Sequence, residues 1–317
     1  MEKLVLVLIG PTASGKTELS YFVYRWLKEI NLEAEIISAD SRQFYKILSI
    51  GTAKPTNEEL KILKHNFVDF LNPDVDYNIS KFENDALKKI EELFKESKIP
   101  IVVGGSGLYI KSLIEGIFSE VDTDEKLRAE LKRIKEEKGN EFIYDMLKEA
   151  DPYTAEKMLP SNWKRVIRAL EVFQLTGKSF RRLQETYKRQ TDVKFLQVGL
   201  NWDRDVLYQN IEMRVDKMIK QGLVEEVKAI LNMGYSKELN SLNTVGYKEI
   251  IKYLENEISL ERAIELIKRN TRRFAKRQLT WFRADKSIKW FNINDKNELP
   301  EIAKQIVTDY LKIVSEK

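Results

Sequence analysis

The stretch Gly10-Pro11-Thr12-Ala13-Ser14-Gly15-Lys16-Thr17 constrains this chain more than any other. It follows the apolar run Leu4 to Ile9 and opens a helical pattern from Glu18 to Ile30. The order strand, glycine loop, helix, with G-x-x-x-x-G-K-[ST] spacing, is that of a phosphate-binding loop. The glycines let backbone N–H groups turn onto phosphate oxygens. The helix N-terminus adds partial positive charge, Lys16 adds a full one, and Thr17 offers a hydroxyl to a magnesium ion. An ordinary glycine turn is the alternative, and the loop alone does not say which phosphate compound it holds.

The first third of the chain continues the alternation. Strands are expected at 34–38, 66–70 and 99–103, and Ser80 with Glu83 reads as a capping box opening a helix to about Glu96. Strands separated by helices predict a parallel sheet covered on both faces, in which ligands bind beyond the carboxyl ends of the strands. Three polar clusters follow strand ends: the glycine loop, Asp40 to Tyr45, and Gly104-Gly105-Ser106-Gly107-Leu108-Tyr109. They are expected to converge on one crevice. From about Phe118 to Gln190 the alternation stops, and helical periods run over 124–137, 141–150 and 162–176, with Gly177 as a C-terminal cap. Strand character returns at 193–201, followed by helices at 204–221, 224–233 and 260–285, a strand at 288–292 and a closing helix. The expected fold class is therefore α/β: a P-loop kinase-like parallel sheet with helices on both faces, plus an inserted all-helical domain. Residues 1–117 and 191–317 form the P-loop core with C-terminal helices, and 118–190 the insertion.

Composition narrows the chemistry. The 317 residues include no cysteine and one histidine, His65, which excludes disulfides, thiolate zinc sites, cysteine nucleophiles and multi-histidine metal centres. His65 itself reads as a hydrogen-bonded residue at a loop–strand edge. Met1 leads directly into the first strand, and no apolar run approaches the roughly 20 residues that span a bilayer. A cytoplasmic protein with no membrane partner is expected, and a monomer.

Two further features bear on function. Asp40 stands at a strand end, where it can act as a general base; a helix cap or a ligand to a magnesium-bound water is the other reading. Ser106 in the glycine turn could bond a phosphate oxygen or merely hold the turn. Between Lys268 and Lys289 nine basic residues face one acid, Asp285, a local charge of +8 in a chain whose total is +4. Phe274, Trp281 and Phe282 are interleaved. Such a helix suits a phosphate backbone and unstacked bases, or is simply a solvated face; its aromatics are expected in the core. A second basic cluster is Lys164, Arg165 and Arg168, followed by Arg181 and Arg182.

Taken together, several motifs in order resemble one family. They are residues 10–17; Asp40-Ser41-Arg42-Gln43-Phe44-Tyr45; Ile50-Gly51-Thr52-Ala53-Lys54-Pro55; residues 104–109; Arg165-Val166-Ile167-Arg168-Ala169-Leu170-Glu171; Val245-Gly246-Tyr247-Lys248-Glu249; and Thr271 through Arg283. Along nearly its full length the chain is similar to the bacterial tRNA dimethylallyltransferases, or tRNA isopentenyltransferases. The resemblance implies a prenyltransferase that moves a dimethylallyl group from dimethylallyl diphosphate to N6 of the adenine 3′-adjacent to the anticodon. It implies that Gly10, Pro11, Thr12, Ala13, Ser14, Gly15, Lys16 and Thr17 hold the diphosphate, with Mg2+ on Thr17. Asp40 would be the general base, and Ser106 and Arg214 would act at the diphosphate. Contacts to the tRNA anticodon stem-loop would come from Asp40, Ser41, Arg42, Gln43 and Ser106. They would come also from Lys164, Arg165, Val166, Ile167 and Arg168 in the insertion, and from Thr244, Val245, Gly246, Tyr247, Lys248 and Glu249. The last group is Lys276, Arg277, Gln278, Leu279, Thr280, Trp281, Phe282 and Arg283. The family often has a histidine pair where this chain has Lys64-His65, and glutamine-arginine where it has Lys164-Arg165. The competing readings are a P-loop kinase of a small molecule or nucleotide, a prenyltransferase acting on free adenylate, and a non-catalytic RNA-binding protein.

Overall fold

The computed structural model describes residues 3–118, 121, 123–187, 189 and 191–316. The chain runs β1 (Leu4–Ile9), α1 (Lys16–Glu29), β2 (Ala34–Ser38), α2 (Asn57–Ile62), β3 (His65–Asn66), α3 (Ile79–Lys95), β4 (Ile99–Gly104) and α4 (Gly107–Glu115). It continues with α5 (Glu125–Ala150), α6 (Pro152–Ala155), α7 (Trp163–Thr176) and α8 (Phe180–Thr186). Then come β5 (Lys194–Trp202), α9 (Arg204–Lys220), α10 (Leu223–Asn232), α11 (Tyr247–Leu254), α12 (Leu260–Arg283), β6 (Lys289–Ile293) and α13 (Leu299–Ser315).

Among the described residues six strands form one sheet in the order β3-β2-β4-β1-β5-β6, every pair parallel. β1 is central because it is apolar on both faces. Leu4, Leu6 and Leu8 join a core with Leu19, Val23 and Leu27 of α1 and Ala303, Ile306 and Val307 of α13, while Val5, Val7 and Ile9 alternate to the other face and are equally buried. Because all strands run the same way, the segments after β1, β2 and β4 leave the sheet at one edge. That places the glycine loop, Asp40 to Tyr45 and Gly105 to Tyr109 together.

A third layer of core is built by the C-terminal helices. Val215 and Met218 of α9, Val227 and Ile230 of α10, Tyr247 and Ile250 of α11 and Ile267 of α12 bury Tyr45 and Leu48 from the segment after β2. The chain divides into two compact units, Met1–Ile110 with Thr191–Lys317, and Lys111–Gln190. Among its described residues the second has helices and no strand, packed around Leu131, Ile143, Leu147, Val166, Leu170 and Phe180. In it Glu171, fully buried, is held by Arg128 and Arg168, each at 2.7 Å.

Two local expectations are corrected. The cap of α3 is Asn78, whose side chain accepts from the Lys81 N–H at 2.9 Å, and Ser80 lies inside the helix. The strand expected at 66–70 shrinks to two residues, because Phe67 and Asp69 adopt φ of 63° and 57°. The turn carries the Phe67 ring to 5.7 Å from Phe82, into an aromatic cluster that a straight strand could not reach. The two helical periods expected at 124–137 and 141–150 are present as two helical segments within α5, separated at Gly139, where φ is 87° and ψ 174°. Among the described residues no helix is long and apolar enough to cross a membrane.

Candidate active site

Gly15 begins the phosphate loop's helix in the left-handed region, with φ of 87°, and no side chain caps α1. The first-turn N–H groups are thus left for an anion. The Ser14 hydroxyl is buried and has no hydrogen-bond partner among the described residues, so a phosphate oxygen would satisfy it. Lys16 is half-buried, and its ammonium bends back to donate to the Pro11 carbonyl at 2.7 Å. Burial first, then the charge of Arg214, pushes that ammonium down to about 7, while Asp40 pulls it up. These are the properties of an anion site. The loop backbone is held from behind by Trp202, whose indole N–H donates to the Ser14 carbonyl at 2.9 Å.

Asp40 sits just past β2, half-buried. One of its oxygens accepts the Arg42 N–H at 3.0 Å, and its carbonyl accepts the Gln43 N–H at 3.1 Å. It shapes its own turn and keeps a second carboxylate oxygen. Arg214 of α9 is lowered by burial and raised by Asp40. Lys16 and Arg214 therefore lie within electrostatic reach of each other and of Asp40. The Ser106 hydroxyl accepts the Ser41 N–H at 3.2 Å and lies 3.4 Å from the Ser41 hydroxyl, so it joins the glycine turn to the segment after β2. The two loops share an anchor. Phe44 after β2 stacks on Phe82 at 5.6 Å, and Tyr109 of α4 lies 5.7 Å from Phe44 and 5.2 Å from Phe82.

Sequence reasoning missed how Gln278 is used. Only 7% exposed, it reaches from α12 to accept the Thr12 N–H at 2.9 Å and to donate to the Gly105 carbonyl at 2.8 Å. A Cβ on Gly105 would collide with this amide and displace it from the bonds it makes here. Gln278 ties the phosphate loop to the glycine turn. Gln278→Ala would orphan both backbone groups, and the expected loss is about 1–3 kcal/mol of stability, with weaker donor binding. A urea midpoint and a donor titration check this.

The remaining residues of the predicted set divide by exposure. Val166, Ile167, Gly246, Tyr247, Glu249, Gln278 and Phe282 are buried. Glu249 accepts from the Gly246 N–H and Asn270, each at 2.7 Å. Arg168 is committed to Glu171 and to the Val121 carbonyl. Lys164, Arg165, Lys248, Lys276, Arg277, Thr280, Trp281 and Arg283 are exposed, while Ser41, Arg42, Gln43, Thr244, Val245 and Leu279 are half-buried. Along the basic helix Lys268 pairs with Asp216 and Arg272 with Glu212. Arg273, Lys276 and Arg277 have no carboxylate partner among the described residues. The expectation that the helix's aromatics are core holds for Phe282 alone. Phe274 is 39% and Trp281 46% exposed, with Arg277 5.8 Å over the Phe274 ring. They lie on the outer stripe of α12, seven residues apart.

The fold and site define a P-loop α/β protein with two cations at a phosphate cradle and a carboxylate beside it. The chain belongs to the IPP transferase family, whose model matches residues 43–285. It is 45% identical over 311 residues to a tRNA dimethylallyltransferase of Alkaliphilus oremlandii, covering 98% of each chain. It is 43% identical to one of Thermotoga maritima, covering 98% of this chain and 99% of the other. Among solved structures, a tRNA isopentenylpyrophosphate transferase from Bacillus halodurans matches with a TM-score of 0.70 at 35% identity, over 99% of each chain. A eukaryotic dimethylallyltransferase acting on tRNA matches with a TM-score of 0.83 at 28% identity, over 98% of this chain and 80% of that one. The resemblance seen in the motifs is thus borne out, as is the α/β fold class.

Proposed function

We propose that this protein transfers the dimethylallyl group of dimethylallyl diphosphate to N6 of the adenine 3′-adjacent to the anticodon in tRNA. What supports the reading is a phosphate loop whose Ser14 hydroxyl is buried without a partner among the described residues, with Lys16 and Arg214 within electrostatic reach of Asp40, in a member of this family. Two cations suit a departing diphosphate, and one carboxylate suits an exocyclic amine. The acceptor base would be flipped out of its stack at a cost of a few kcal/mol. N6 attacks the allylic carbon, the C–O bond to diphosphate breaks, and the amine proton passes to Asp40 and then to water. Lys16, Arg214, the Ser14 hydroxyl and the open N–H groups of α1 stabilise the negative charge that grows on the leaving group.

Among the described residues no cluster of three or more His, Asp or Glu could hold a metal by itself. Mg2+ takes few protein ligands and keeps substrate oxygens and waters. Thr17 would be its protein ligand, and the ion would neutralise diphosphate charge.

RNA binding is assigned to exposed cations: Lys164 and Arg165 of the inserted unit, and Arg273, Lys276 and Arg277 of α12. Lys276→Ala combined with Arg277→Ala is expected to weaken tRNA binding and reduce the slope of log K against log salt by about 1–2. An unchanged slope in a salt titration would remove these residues from the interface.

The function is tested by incubating the protein with labelled dimethylallyl diphosphate and unmodified tRNA, then analysing nucleosides. Label in N6-dimethylallyladenosine is expected. Transfer to AMP but not to tRNA, or phosphate transfer from ATP to a metabolite, would replace this reading with a competitor.

A further inference from the structure

Two sequence motifs, residues 50–55 and 245–249, have no part in the chemistry above, yet they meet at one side chain. Glu226 of α10 accepts the Ser49 N–H at 3.1 Å and the Ile50 N–H at 2.7 Å on one oxygen. On the other it accepts the Gly51 N–H at 3.2 Å and the Tyr247 hydroxyl at 2.6 Å. Three successive backbone N–H groups around one anion form a nest, here filled by a carboxylate from about 175 residues away. Tyr247 is fully buried, and a Cβ on Gly51 would overlap its ring. Burial and Glu226 together hold the Tyr247 phenol well above its ordinary pKa, so it stays a donor.

The loop gathered in this way points its next carbonyls at the acceptor side. Thr52 and Ala53 accept the Gln43 amide at 3.3 and 3.2 Å, and the Gln43 side-chain oxygen lies 3.3 Å from the Ser38 hydroxyl. The Gln43 N–H in turn closes the Asp40 turn. Lys54 donates to the Tyr45 carbonyl at 2.9 Å and pairs with Asp69. Neither the Thr12–Gln278 link nor the Ser14–Trp202 link to the phosphate loop passes through these residues.

We propose that Glu226 is a positioning residue for the acceptor half of the site, acting through the 49–53 loop on Gln43 and the Asp40 turn; this rests on the function proposed above. All four acceptor positions of the carboxylate are engaged, so glutamine cannot replace it. An amide would turn two donors toward N–H or O–H donors.

The test measures transfer kinetics for tRNA, dimethylallyl diphosphate binding and amide exchange in the full-length wild type, Glu226→Gln and Tyr247→Phe. For Glu226→Gln, kcat/KM toward tRNA is expected to fall by about tenfold or more, since N–H groups lose a charged partner. The dissociation constant for dimethylallyl diphosphate should stay within about twofold, because the phosphate loop shares no bond with the cluster. Exchange at residues 49–51 should accelerate. Tyr247→Phe removes one of the four bonds and keeps the ring, so a loss of about threefold is expected. If Glu226→Gln does not fold, the Tyr247→Phe kinetics decide. Parallel loss of donor binding would mean general loosening, and unchanged tRNA kinetics with faster exchange would mean a purely structural loop; either overturns the proposal. A wild type without prenyl transfer would overturn the function itself, and the positioning role with it.

Discussion

Asp40→Ala is expected to lower prenyl transfer to tRNA by about 10²–10⁴-fold, with dimethylallyl diphosphate still bound. The carboxylate is half-buried beside two cations, Lys16 and Arg214, whose proton affinities it raises. Of its two oxygens, one is occupied by the Arg42 N–H. The bidentate side chain can therefore shape its turn and meet a substrate amine at once. Asp40→Asn separates these duties, because the amide oxygen still accepts from Arg42 while the base is lost. The asparagine variant should fold like the wild type and be nearly as inactive as the alanine variant. Single-turnover kinetics with saturating donor and tRNA make the comparison. Turnover near wild type in Asp40→Asn would reduce Asp40 to a turn residue.

How much of this was legible follows from the range of each interaction. The phosphate loop, the strands of the sheet and the helical insertion are written in short windows: two glycines and a lysine after a strand, apolar runs of five or six residues, helical periods broken by glycine. The aromatic cluster was not, and it decides local structure against local pattern. Residues 66–70 alternate like a strand, yet Phe67 and Phe70 turn to meet Phe44 and Phe82. Residues 104–109 read as a turn, but α4 starts at Gly107 and uses Tyr109 as part of that same cluster. α11 is concealed within the motif that begins at Val245, because its buried face serves the C-terminal core. The braces of the site are least legible of all. Trp202 acts across 188 residues and Gln278 across 266. The only sequence signals are a tryptophan at a strand's carboxyl end and a lone glutamine within a basic run, and neither names its partner. The same helix shows why patterning misjudged the aromatics. Phe274 and Trp281 share a stripe with Arg273 and Arg277, whereas Phe282 falls one position round, into the core.

Lys16 links the site's chemistry to its stability. Its ordinary pKa of 10.5 is lowered to about 7, chiefly by burial and then by Arg214. A bound diphosphate supplies the missing counter-charge and restores the higher value. Below pH 7 the ammonium is already protonated and donor binding is at its best. Above it, binding must draw a proton from solvent, so affinity falls by up to about tenfold per pH unit until the bound-state pKa is reached. Lys16→Met should weaken donor binding at pH 7 by about 10–10²-fold, the worth of a hydrogen bond to a charged group, and flatten its pH dependence from 7 to 9. Stability of the ligand-free protein moves the other way. Because the folded state binds this proton less tightly than the unfolded chain, its burial penalty is fully present below pH 7 and vanishes as pH rises toward 10.5. At pH 6.5 Lys16→Met should therefore be more stable than wild type by about 1–3 kcal/mol, screened because the residue is half-buried. That advantage should shrink by pH 9, as thermal unfolding of the two ligand-free proteins can show. A wild type whose donor affinity is level from pH 7 to 9, or a methionine variant less stable at pH 6.5, would mean that Lys16 is not the uncompensated cation of an anion site.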